Sequence, residues 1–96
     1  MINSKIASKQ IDELFEAVLK LENVSECYDF FIDLCTVAEL QSLSQRLSVA
    51  KLLKEKATYN DIVQKTGAST ATISRVKKCI DYGTGGYDLV LDKKEK

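Results

Sequence analysis

Residues 69–78 read Ser-Thr-Ala-Thr-Ile-Ser-Arg-Val-Lys-Lys, and their types and spacing suit the reading of a nucleic acid better than the making or breaking of bonds. On a helix, Thr70, Ala71 and Ser74 fall on one face, and Lys77 and Lys78 follow a turn further on. Small residues at the start, Ser69, Thr70 and Ala71, let the backbone come close to base edges. Hydroxyls can bond bases or phosphates, and a threonine methyl can touch a thymine methyl. Two ammonium groups beyond them suit phosphate oxygens, as do the amides of Asn60 and Gln64 upstream. The candidate DNA-contacting set is therefore Asn60, Gln64, Ser69, Thr70, Ala71, Ser74, Lys77 and Lys78.

Those residues need two helices to hold them. Thr58, with Asp61 three residues later, predicts the start of a short helix over 59–66, and Gly67 predicts its left-handed stop. Ser69 caps a second helix over 70–82, which Gly83 ends. Two helices separated by Thr66-Gly67-Ala68-Ser69 make a helix-turn-helix layout. Ile62, Ala68, Ile73, Val76 and Ile80 have the spacing that packs the pair together and leaves the candidate set outward. Val63 departs from the common pattern, which places alanine there for close packing. An ordinary helical hairpin with solvated lysines is the plainer alternative.

Charge agrees with the first reading. Residues 1–43 carry three lysines against eight carboxylates, residues 44–79 carry eight Lys/Arg against Glu55 and Asp61, and residues 80–96 carry three lysines against four acids. The net charge of zero thus hides a basic segment, the footprint of a polyanion-binding face. An enzyme is the weakest option. The chain has no histidine, and no serine or cysteine stands beside an identifiable base. Cys27, Cys35 and Cys79 lack metal-ligand spacing, so no metal is expected and three reduced thiols are.

The 96 residues, 45% of them apolar, suit one all-α domain: dimerisation helices over 8–56, the helix-turn-helix over 58–82 and a tail over 83–96. Ser8 caps a first helix with the stripe Ile11, Leu14, Phe15, Val18 and Leu21 or Leu19, which Asn23 and Ser25 interrupt. The next segment, 26–35, is apolar nearly all round, with Cys27, Tyr28, Phe30, Phe31, Ile32 and Leu34. Such a helix needs cover on every side, and a chain this short has too little to spare. An interlocked homodimer answers that need better than a buried hairpin within one subunit. Thr36-Val37-Ala38-Glu39 fits a capping box and opens the longest helix, over 37–56, with the stripe Leu40, Leu43, Leu47 and Ala50 widened by Val49, Leu52 and Leu53. Gly83-Thr84-Gly85-Gly86 reads as a hinge. Tyr87–Leu91 fits a short helix or an extended docking segment, and Lys93–Lys96 a frayed end. Met1–Lys5 lacks an apolar leader and no run could span a bilayer, so a cytoplasmic, nucleoid-associated protein is expected.

From Thr36 to about Asp81 the chain resembles the Trp repressor family, and most closely its relatives of the YerC/YecD type. The strongest likeness is Gly67-Ala68-Ser69-Thr70-Ala71-Thr72-Ile73-Ser74-Arg75, with Leu43, Arg46, Leu52 and Leu53 in step on the preceding helix. The resemblance implies an intertwined helical dimer with a helix-turn-helix on each subunit, acting as a transcriptional repressor on double-stranded DNA. A helical protein-docking module is the alternative. The family's ligand site implies possible effector contacts at Thr36, Arg46 and Arg75. Here, however, Val76 replaces the glycine against which an indole would lie, Asp33 replaces a leucine and Cys79 a serine. Val76 should fill that space, so no cofactor is expected, tryptophan included. The arginines are then expected to serve structure, pairing with carboxylates such as Asp33.

Overall fold

The computed structural model describes residues 7–92, all of whose regular structure is helical. The readings made for Met1–Lys5 and Lys93–Lys96 lie outside them. The chain divides into two compact units, one ending at Val37 and the other starting at Ala38.

The first unit holds α1 (Lys9–Val18) and α2 (Val24–Leu34). Ser8 caps α1 by accepting the Ile11 N–H at 3.1 Å. Asn23 does more than interrupt: its Oδ1 accepts the Glu26 N–H at 2.9 Å and starts α2 at Val24, earlier than the expected 26. Glu26 reaches back to accept the Glu22 N–H at 2.9 Å, and Ser25 sits in the first turn. Phe30 and Phe31 meet edge to face, with centroids 5.5 Å apart. No residue of either helix is buried. Val24 is 71% exposed, Tyr28 61% and Ile32 60%. A hairpin that hides its own apolar residues is therefore not what this unit forms.

The second unit holds α3 (Val37–Lys54, from Ala38 on), α4 (Tyr59–Thr66), α5 (Thr70–Tyr82) and α6 (Gly86–Leu91). The helix α3 starts directly after Thr36, as its capping pattern requires, but ends at Lys54 instead of 56. The stop is a Schellman turn: Ala57 N–H donates to the Leu52 carbonyl and Lys56 N–H to that of Leu53, each at 3.0 Å. Lys56 itself takes the left-handed conformation, with φ 64°. The α3 stripe is fully buried only in its C-terminal part, and Leu40 is half-buried. Val49 and Ala50 are buried with Ile62, Ala68, Ile73 and Val76, whereas Leu43 and Leu47 stay more than two-fifths exposed.

The tail resolves its two alternatives as a helix. Tyr87 and Leu91 of α6 pack against the buried core. Lys54 of α3 contacts Asp88 at 2.5 Å and Asp92 at 3.0 Å.

Candidate nucleic-acid interface

Local bonds fix the turn between α4 and α5. Thr58 accepts the Asp61 N–H at 3.1 Å, and Gly67 closes α4 with φ 72° while donating to the Val63 carbonyl at 2.8 Å. The Thr66 hydroxyl donates to the Ile62 carbonyl at 2.7 Å and accepts the Ala68 N–H at 3.1 Å, so one side chain ties both ends of the turn. From α3, Gln45 Nε2 donates to the Thr66 carbonyl at 3.2 Å, anchoring the motif to its support. These two residues were missed in the sequence. A threonine before a C-cap glycine is a weak signal, and Gln45 gives none because its partner lies 21 residues away.

The helix α5 then has two faces. Ile73 and Val76 are buried and Ile80 packs on the same core. Thr70, Ala71, Ser74, Lys77 and Lys78 are all exposed. The apolar anchors hold the helix by one side and leave the other as a ridge of small and hydroxyl residues that leads to two lysines. Asn60 and Gln64, one turn apart on α4, are exposed as well. Val63 is half-buried and packs on the core, so the larger residue is accommodated.

Two members of the candidate set carry internal bonds. Ser69 Oγ accepts the Thr72 N–H at 3.1 Å and donates to Thr72 Oγ1 at 3.1 Å, which leaves it one lone pair for an outside donor. Lys77 pairs with Asp81 one turn along α5, at 3.2 Å with both side chains about half exposed. Such a pair is worth only ~0.3–0.5 kcal/mol and leaves the ammonium available to a phosphate. Among the described residues, Lys78 has no carboxylate within ion-pair distance.

The possible effector residues do not form one site within either unit. Thr36 belongs to the first unit, and Arg46 and Arg75 to the second. Arg46 is half-buried, with Nη2 3.5 Å from Ser42 Oγ, and Arg75 is exposed. Within residues 38–92 neither arginine pairs with a carboxylate. Val76 is 1% exposed, so its side chain occupies interior space. An open apolar cleft of about 520 Å³ lies between α3, α5 and α6, lined by Leu47, Cys79, Tyr87 and Val90 among others, but by neither arginine. Among the described residues no cluster of ligating side chains could hold a metal ion, and no helix is long and apolar enough to cross a membrane.

Comparison with known proteins agrees with this geometry. A family model described as Trp repressor protein matches residues 9–95. The uncharacterised protein YerC of Bacillus subtilis is 54% identical over 89 residues, covering 93% of this chain and 86% of that one. A crystal structure of a candidate Trp repressor from Staphylococcus aureus superposes with a TM-score of 0.90 at 56% identity, covering 96% of this chain and 92% of the other. That of a TrpR-like protein from Eubacterium eligens gives 0.90 at 52% identity, covering 98% and 100%.

Proposed function

Because this chain belongs to the Trp repressor family, which is a family of DNA-binding regulators and not of enzymes, we propose that it is a homodimeric transcriptional repressor that reads its operator with α5. The observation that carries this reading is the two-faced α5. Buried Ile73 and Val76 fix it from behind, and exposed Thr70, Ala71, Ser74, Lys77 and Lys78 face outward within the basic part of the chain. Thr70, Ala71 and Ser74 meet base edges in the major groove. Lys77, Lys78, Asn60 and Gln64 meet phosphates, and Ser69 chiefly caps the helix whose end approaches the bases. The dimer is supported by α1 and α2, whose apolar residues find no interior in their own unit. Work on chromosomal DNA would place the protein in the cytoplasm, at the nucleoid.

Two reading heads on a two-fold axis require a palindromic site, with half-sites about one helical turn apart or a multiple of it. The test is binding to a selected site and to random duplex across a salt series. Thr70→Ala or Ser74→Ala should relax sequence preference by roughly 1–3 kcal/mol at the base pair concerned. Lys77→Ala or Lys78→Ala should weaken every sequence alike and lower the salt slope by about one per phosphate contact. If no duplex binds with salt dependence, the helix-turn-helix is instead a protein-docking module.

No corepressor is required in this reading, since Val76 fills the space an indole would use. Calorimetry with L-tryptophan should give nothing tighter than about millimolar, or roughly −4 kcal/mol. A micromolar isotherm would show that Val76 moves aside.

A further inference from the structure

We infer that α6 is a strap fastened by the Lys54 ammonium, and that Lys54 thereby acts as a positioning residue for the DNA-reading face of α5. The consequence for DNA rests on the proposed function; the strap itself does not.

Three observations carry it. First, α6 presents two neighbouring stripes at the same four-residue spacing. Tyr87 and Leu91 pack on the core, and Asp88 and Asp92 both turn to Lys54. One ammonium thus bridges two carboxylates on successive turns of α6, 34 and 38 residues away in sequence. Its side chain is only 25% exposed, less open to water and salt than the Lys77–Asp81 pair. Secondly, α6 has only six residues. A helix that short does not persist by itself, so it depends on what it is tied to. Thirdly, the core on which Tyr87 and Leu91 rest includes Ile73 and Val76, with Ile80 packed against it, the residues that hold α5 from behind. The join is close: a Cβ on Gly83 would lie 2.3 Å from the Cys79 carbonyl oxygen, so the chain leaves α5 along a path no side chain permits. Releasing α6 removes packing from the back of α5, while the outward face keeps every residue that touches DNA.

The electrostatics point the same way. The hydrogen bonds that its ammonium donates to Asp88 and then Asp92 raise the Lys54 pKa above its ordinary 10.5. With the folded-state value raised, and with both carboxylates ionised, the fastening holds through neutral pH and fades on the alkaline side only as pH climbs through the higher value.

Amide hydrogen exchange and DNA binding, measured on the full chain, test the inference. In Lys54→Met and in Asp88→Asn/Asp92→Asn, amides of 86–91 and of the last turn of α5 should exchange several-fold faster, with α1 and α2 unchanged. Affinity for a selected duplex should fall about three- to tenfold with an unchanged salt slope, and Lys54→Arg should restore both readouts. Unaltered exchange in α6 would overturn the strap. Faster exchange with undiminished affinity would overturn the positioning role, and a slope lowered by about one would make Lys54 a phosphate contact instead. Wild-type protein that binds no duplex would defeat the proposed function, while the exchange data would still decide whether the strap exists.

Discussion

The two units of this chain solve the burial problem differently. The second encloses Val49, Ala50, Ile62, Ala68, Ile73 and Val76, each at most 2% exposed, and seals them with half-buried neighbours from α3 to α6. The first is richer in apolar residues, at 20 of 37 positions against 23 of 59, yet none is buried in either of its helices. Apolar content alone therefore does not decide burial. What differs is arrangement: the apolar positions of α4 and α5 form one stripe each, whereas those of α2 spread over more than half its circumference and leave Ser25, Glu26, Asp29 and Asp33 on the remaining side. A stripe can be covered by a neighbour in the same chain, but so broad a face needs cover from several directions. The second unit thus closes its own core, whereas the first leaves apolar surface that the proposed dimer would cover.

The largest effect should follow from charging the broad apolar face of α2. Phe31→Glu places a carboxylate where a partner subunit would bury it, at a cost of several kcal/mol. Near-UV circular dichroism and sedimentation should report a protein unfolded or molten at micromolar concentration. A well-folded monomer, in this variant or in wild type, would mean that the first unit needs no partner, and the contrast between the units would vanish.

A core truncation in the second unit should cost less and behave differently. Ile73 is fully buried among the helix-turn-helix residues. Ile73→Ala should destabilise by ~2–5 kcal/mol through lost transfer energy and the cavity left behind. Urea unfolding would show the midpoint falling while the protein still associates at high concentration. Loss of association with an unchanged midpoint would mean that the two units are not specialised as described.

The second unit was also the more legible of the two in sequence. The caps at Thr58 and Ser69, the stop at Gly67 and the inward set of Ile62, Ala68, Ile73 and Val76 are all local signals, written within one or two turns. They gave α4 and α5 their observed bounds and the candidate face its exposure. The first unit's helices were legible as helices, but Asn23 was read as an interruption when its side chain caps α2. What escaped altogether was long-range. Nothing near Lys54 announces Asp88 and Asp92, and nothing near Gln45 announces the Thr66 carbonyl, because tertiary polar contacts leave no periodicity. The effector set Thr36, Arg46 and Arg75 came from a family's pattern and not from any local signal.

The smallest effect concerns the end of α3, where sequence and structure disagree by two residues. Continuation to Lys56 was expected, yet the chain makes the Schellman turn with a lysine in the left-handed position, φ 64°. A side chain with a Cβ is strained there by ~1–2 kcal/mol. The turn persists because it returns the chain toward α4, with Ala57 packed against the core and Thr58 free to cap. Lys56→Gly should relieve the strain, partly offset by the greater freedom glycine has in the unfolded chain, for a net gain of ~0.5–1 kcal/mol. The gain belongs to the second unit, so thermal unfolding should shift upward with no change in self-association. A loss of stability would mean that the Lys56 side chain makes a contact worth more than its backbone strain, and that the α3–α4 junction is held by that side chain as well as by the two backbone bonds of the turn.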